Sequence, residues 1–383
     1  MRTRYVVTGS KGHLGNTVIR MLKGTKAEVF GLVLPWEDCK DEDNVHYVKG
    51  DVRDIDSLRP LFQRSVAVNE LPPAKKSGRL NFFNKLDKLK ICNNSRDEDN
   101  GDFEIFVIHT AGIIDISEKG SPILYDVNVN GTKNIVSLCS EYNVKRLLYV
   151  SSVHAIPEIV GAVITEVSNF SPDTVVGAYA RTKAEATEAV LEAGRKGLNV
   201  VVVQPSGIIG PYDNSGNHLV QMIGEYLKGT LPACVKGGYD FVDVRDVAKG
   251  CLLALQKGKT GNCYILSNRY YEIRDVLEMV RNFVSLKKLV VLPIWMAKIA
   301  APFMELFAKI KHRRPLFTSY SLHTLKTKDR FSHAKATKDF GYVPRGLKET
   351  VRDTVLWFKK TTLKKLNLAP AVVPLLNNSN KKN

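Results

Sequence analysis

Short apolar runs recur along the chain, and between them apolar positions fall three and four residues apart. Tyr5–Thr8, Glu28–Leu34, Phe103–Thr110, Arg146–Ser151, Asn199–Gln204 and Cys263–Ser267 alternate in this way with helical segments. A strand buried on both faces reads as a near-continuous apolar run, and strands that alternate with helices assemble into a parallel sheet with helices on either side. The pattern therefore predicts an α/β protein built on a doubly wound parallel sheet. It lapses over 63–102, where Pro72-Pro73, Lys75-Lys76 and Asn93-Asn94 mark a polar stretch, read as a surface insertion before the strand that resumes at Phe103. Within that insertion, 80–89 has the spacing of one short amphipathic helix. Beyond Gln204 the chain is richer in Pro and Gly and then helical to about Leu366. The expected organisation is a nucleotide-binding domain over 1–204, with elements returning to it from about 240–267, a smaller substrate-binding lobe over 205–366, and a polar tail over 367–383 that cannot fold alone.

The first apolar run ends in Thr8-Gly9-Ser10-Lys11-Gly12-His13-Leu14-Gly15. Glycines spaced G-x-x-G-x-x-G between a strand and a helix suit a dinucleotide pyrophosphate. Gly9 allows the tight turn, Gly12 lets backbone amides approach the phosphates, and Gly15 lets the helix pack closely on the strand, while the helix N-terminus presents free donors to the anion. A second constellation is Tyr179-Ala180-Arg181-Thr182-Lys183, in which four-residue spacing puts a phenol and an ammonium on one helix face. A third is Ser151-Ser152-Val153-His154, which closes a strand and would place a hydroxyl at the C-terminal edge of the sheet, where sites in such sheets lie. His154 suits a pocket-lining, hydrogen-bonded role or a direct proton-transfer role.

Composition narrows the function classes. The 383 residues are 44% hydrophobic and 25% charged, ordinary for a globular protein. The net charge of +17 resides wholly in residues 281–383, which hold 22 Lys and Arg against 5 Asp and Glu. No helix-turn-helix, zinc or RNA-binding signature accompanies that basic section, so nucleic acid is not expected as a partner. Six cysteines without CxxC pairs or His partners at ligand spacing imply reduced thiols, no metal site and a cytoplasmic setting.

Taken in order, these motifs resemble the extended short-chain dehydrogenase/reductase family. Further matches are Gly50-Asp51-Val52-Arg53-Asp54, His109-Thr110-Ala111-Gly112, Asp126-Val127-Asn128-Val129-Asn130, Gln204-Pro205-Ser206-Gly207 and Phe241-Val242-Asp243-Val244-Arg245-Asp246. The resemblance spans residues 1 to about 366 and implies a Rossmann-type sheet, a nicotinamide cofactor and hydride transfer at a carbinol or carbonyl carbon. It implies that Tyr179 donates or accepts the proton, that Lys183 binds ribose and lowers the Tyr179 pKa, that Ser152 holds the substrate oxygen, and that Asn128 steadies the relay. Gly9, Lys11, Gly12, His13, Leu14, Gly15, Asp51, Val52, Thr110, Ala111, Gly112, Pro205 and Ser206 would line the cofactor. The end of the second strand reads Val33-Leu34-Pro35, with neither the acid of NAD-binding relatives nor a basic residue, and Lys11 tilts the expectation toward NADP over NAD.

Within the family, the likeness is to dihydroflavonol reductases and 3β-hydroxysteroid dehydrogenases. Val153-His154-Ala155 lacks the acid of dehydratases, and Tyr239-Asp240 stands where sugar-nucleotide enzymes carry an Arg before Phe241. The expected substrate is a hydrophobic small molecule, with a nucleotide-sugar epimerase and a non-catalytic dinucleotide sensor as the alternatives. The apolar segment 292–310, followed by Lys311-His312-Arg313-Arg314, reads as an internal helix of the small lobe, a pocket roof, or a peripheral membrane contact through 292–314. A homodimer through helices near Gly131–Glu141 and Tyr179–Gly194 is implied by the family alone.

Overall fold

The computed structural model describes residues 2–63, 103–115, 120–159, 161–231, 233–297, 299, 325 and 329–363. Nearly all of the expected insertion with its 80–89 helix, most of the 292–314 segment, and the 367–383 tail lie outside the described residues.

The strands are β1 (Arg2–Thr8), β2 (Glu28–Val33), β3 (Val45–Lys49), β4 (Phe103–His109), β5 (Arg146–Val150), β6 (Val163–Ile164), β7 (Val200–Pro205), β8 (Gly207–Ile209), β9 (Cys234–Val235), β10 (Gly238–Asp243), β11 (Asn262–Leu266), β12 (Arg269–Glu272), β13 (Val291–Leu292) and β14 (Arg330–Phe331). Seven of them form one sheet in the order β11-β7-β5-β4-β1-β2-β3, and every pairing in it is parallel. This is the doubly wound sheet that the apolar runs predict. The alternation of side chains explains why those runs look continuous. On one face Val6, Val107, Leu147, Val200 and Val202 join a single buried cluster, while Val7, Ile108, Leu148, Val201 and Val203 join another on the opposite face.

Helices cover both faces. They are α1 (His13–Leu22), α2 (Ile55–Leu58), α3 (Pro122–Tyr125), α4 (Gly131–Glu141), α5 (Ala178–Arg195), α6 (His218–Lys228), α7 (Val244–Lys257) and α8 (Ile273–Arg281), followed by helices Ala334–Phe340 and Leu347–Thr361. Buried side chains of α4 and α5 belong to the first cluster, and those of α1 and α7 to the second. Between α3 and α4 the backbone widens into a π-turn over Asp126–Asn130, which turns Asn128 inward. Such π-bulges recur at functional sites because they re-aim one side chain without breaking the helix.

The strand order reverses beside β1: the chain winds β1-β2-β3 to one side and β4-β5-β7-β11 to the other. The crevice between the C-terminal ends of β1 and β4 is thus the switch point, the place where open α/β sheets bind ligands. A second core gathers Ile209, Ile223, Phe241, Val276, Val280, Val351 and Val355 around the small β12-β10-β8 sheet. Ion pairs at the start of α7 bind the two cores: Arg245 holds Asp243 and Asp353, each at 2.7 Å, and Arg345 holds Asp246 at 3.0 Å.

Candidate functional site

The glycine loop is shaped for close approach. Gly9 has φ +65°, and a Cβ there would lie 2.8 Å from the Ala111 amide nitrogen and 2.9 Å from Thr110 Oγ1. A Cβ on Gly15 would collide with the Gly9 carbonyl, so α1 can seat this near the turn only without a side chain. Gly12 is the N-cap and provides no capping side chain, which leaves the first-turn amides of α1 directed at the switch-point crevice. These features fit a dinucleotide pyrophosphate. Leu14 is buried in the core under α1.

Three loops complete that wall. Thr110 donates to Thr8 O at 2.7 Å, and the Ala111 amide donates to Thr8 Oγ1 at 3.1 Å, so the loop after β4 is fastened to the end of β1. A Cβ on Gly112 would stand 3.3 Å from Asn128 Oδ1 and 3.4 Å from Lys183 Nζ, which brings the glycine loop's neighbour and the α5 ammonium together. Asn128 clamps the Ile113 backbone at both ends, accepting from Ile113 N at 2.8 Å and donating to Ile113 O at 3.0 Å. Its amide also donates to Thr182 Oγ1 at 3.1 Å, tying the π-turn to α5.

Tyr179, Lys183 and Ser152 converge at the C-terminal edge of β5 and are all buried. Ser152 hydrogen-bonds Tyr179, and its Oγ also accepts from the His154 amide at 3.2 Å. The His154 ring meets the Tyr179 ring edge-on, 6.2 Å between centroids, and burial pulls its pKa down to about 4, so it is a neutral wall of the site. Lys183 donates to Val150 O at 2.9 Å, and burial draws its pKa down to about 7. Burial also pushes the Tyr179 phenol up to about 12, and the Ser152 hydrogen bond offsets only part of that. The family resemblance implies that Lys183 lowers the Tyr179 pKa. Here desolvation prevails, because the ammonium is turned to the β5 carbonyl and is itself stripped of water.

Other expected residues are placed differently from one another. His13 is buried, with Nε2 2.9 Å from Pro211 O and Nδ1 3.2 Å from Asn217 Nδ2, so its side chain locks α1 to the loop after β8 and only its backbone faces the crevice. Ser206 donates to Asp240 Oδ1 at 2.8 Å, which commits its hydroxyl to the small lobe next to Pro205. Asp51 is held by Arg53 at 2.6 Å, which lowers its pKa, and the following Val52 is buried against Gly131. Lys11 lies 5.1 Å from the Tyr47 ring centroid, beyond the end of β2. Sequence reading missed Glu37, whose carboxylate accepts from the Leu34 amide at 2.7 Å at that same strand end. Its signal is an acid two residues past Pro35.

Asp240 occupies the place of the absent Arg. Its carboxyl is buried, accepts from Ser206 and from the Asn268 amide, and burial raises its pKa to about 6. Among the described residues no helix is long and apolar enough to cross a membrane.

Comparison with known proteins agrees with this geometry. Residues 66–267 match the model of the NAD dependent epimerase/dehydratase family. Sterol demethylase protein B of Methylococcus capsulatus is 27% identical over 93% of this chain and 98% of its own length. The human 3 beta-hydroxysteroid dehydrogenase type 7 is 30% identical over 67% of this chain and 77% of its own. Among solved structures, that of gox2253 superposes with a TM-score of 0.71 at 28% identity, covering 94% of this chain and 98% of the other. By its motifs, its sheet and these matches, the chain belongs to the NAD dependent epimerase/dehydratase family of extended short-chain dehydrogenases/reductases.

Proposed function

We propose that this protein is an NAD(P)-dependent oxidoreductase that interconverts a secondary alcohol and a ketone on a hydrophobic, steroid- or flavonoid-like small molecule. The observation that carries the reading is the convergence of Ser152, Tyr179 and Lys183 beside a glycine loop free to receive a pyrophosphate. The bound dinucleotide supplies the hydride. The chain supplies the rest. Gly9, Gly12 and the first turn of α1 hold the pyrophosphate, and Lys183 meets the ribose from the Gly112 side. Tyr179, with its pKa near 12, stays protonated at neutral pH and is the acid for ketone reduction, while Ser152 orients the substrate oxygen toward it.

The substrate class rests on what surrounds the Tyr. Val153-His154-Ala155 offers no acid after Ser152, and His154 is neutral, so the second acid of a dehydration is missing. Asp240 is buried and anionic or neutral, never cationic, and is a poor clamp for a sugar diphosphate. Exposed Ile114 and Ile159 stand on the loops after β4 and β5, and exposed Val176 just before α5, the helix that carries Tyr179, which suits an apolar substrate. The names of the relatives, a sterol demethylase protein and a 3 beta-hydroxysteroid dehydrogenase, point the same way. Lys11 leans the cofactor toward NADP, and Glu37, an acid just past the end of β2, leans it toward NAD.

The experiment is oxidation of NADPH and NADH, followed by absorbance, across ketosteroids, flavonoid ketones and UDP-sugars, with cofactor binding followed by calorimetry. Consumption of either cofactor with a hydrophobic ketone supports the reductase, and the ratio of the two affinities decides between Lys11 and Glu37. Tight UDP-sugar binding without cofactor consumption would replace it with the epimerase. Cofactor binding with no turnover on any arm would replace it with a sensor.

A further inference from the structure

Behind the catalytic edge a polar row crosses three parallel strands. Thr8, His109 and Tyr149 are register partners on β1, β4 and β5, and all three are fully buried. The partners fix the direction of each hydrogen bond. The Ala111 amide donates to Thr8 Oγ1; Thr8 Oγ1 lies 2.7 Å from His109 Nδ1; His109 Nε2 lies 3.0 Å from Thr132 Oγ1. Thr132 gives its single proton to Asn128 O at 2.7 Å, so its oxygen accepts from His109 Nε2–H, and Nδ1 is left to accept from Thr8. Tyr149 ends the row, and its hydroxyl faces the other way, toward α5. The Tyr149 oxygen remains as an acceptor, 3.4 Å from Lys183 Nζ, with the ammonium 5.0 Å from its ring centroid.

Resting on the reading of Lys183 above, we propose that Tyr149 is a positioning residue whose hydroxyl accepts from the Lys183 ammonium and aims it at the Gly112 loop. A phenylalanine in this slot would keep the stacking on His109, 5.6 Å between centroids, and the ring face toward the cation. Packing therefore has no use for the hydroxyl; the ammonium does. The row adds no charge of its own, since burial takes the His109 pKa down to about 3. The titratable groups facing Lys183 are Tyr179 on its own helix and His109 and Tyr149 from the sheet, and among the described residues no carboxylate pairs with it. Two neutral hydrogen-bond acceptors, Val150 O and Tyr149 Oη, thus receive the ammonium where no counter-ion stands.

The test reads Lys183 directly, without cofactor. The full chain is labelled with ¹⁵N at lysine Nζ, the Lys183 signal is assigned with a Lys183→Arg variant, and its pH titration is followed by NMR. The wild-type midpoint is expected near 7. Tyr149→Phe should lower it by about half a unit or more, roughly a twofold loss of ammonium at the original midpoint. An unmoved midpoint in a folded Tyr149→Phe protein would overturn the assignment. Failure of the oxidoreductase reading would appear separately, as absence of cofactor consumption by the wild type, and leaves this titration readable.

Discussion

Two cations sit deep in this molecule and are treated in opposite ways. Arg245, at the start of α7, has two carboxylates on its guanidinium, Asp243 and Asp353, and these hold its pKa above the ordinary arginine value against the burial that would lower it. Lys183, at the edge of β5, has only neutral acceptors, and its pKa falls to about 7. Removing a charge from water costs several kcal/mol unless a counter-charge offsets it. The first cation is compensated and joins two cores; the second is left uncompensated at the one place where an ionisable group beside a phenol has chemical use. The contrast separates a structural ion pair from a site that holds strain for function.

The comparison can be broken from either side. The largest effect is expected for Asp243→Ala, which strands Arg245 and uncaps α7: a loss of about 3–5 kcal/mol in urea unfolding. A loss below about 1 kcal/mol would remove Arg245 from its structural role. Lys183→Met should do the reverse. In the folded state the Lys183 pKa is lowered, so the unfolded chain binds its proton more readily between about pH 7 and the ordinary value of 10.5. The cost of burying the cation is therefore fully present below pH 7 and fades as pH rises through that window. The variant should be more stable than wild type by about 2 kcal/mol at pH 6, with the gap closing toward pH 10; a gap that is flat with pH would contradict the lowered pKa. Asp240→Asn should have the smallest effect. Its carboxyl is raised from 3.8 to about 6, so the wild type loses stability as pH climbs from about 4 to 6, and the amide, which keeps an acceptor for Ser206 and Asn268, should gain about 1 kcal/mol at pH 7. Equal stability of the two at pH 7 would show that Asp240 is not raised.

Six strands of the large sheet could be read from their apolar runs, because each is buried on both faces. β3 could not: in Val45–Lys49 only Val45 and Val48 are buried, and an edge strand needs no more. The glycine loop and the Tyr179–Lys183 spacing were legible because each depends on a local backbone pattern. The row Thr8, His109, Tyr149 was not, since it exists only through the register of three strands far apart in the chain. The turning of Lys183 to Val150 O and the binding of Ser206 by Asp240 were hidden for the same reason. Sequence spacing reports which residues share a helix face, whereas desolvation depends on everything packed against that face.

The central claim is that Tyr179 is the proton donor of a hydride-transfer site, and the most direct measurement is the turnover of a Tyr179→Phe variant with a reducible ketone and its preferred cofactor. The account predicts cofactor affinity within about twofold of wild type and ketone reduction lower by about 10²–10⁴-fold, the usual worth of a positioned general acid. Reduction at the wild-type rate by the phenylalanine variant would contradict it.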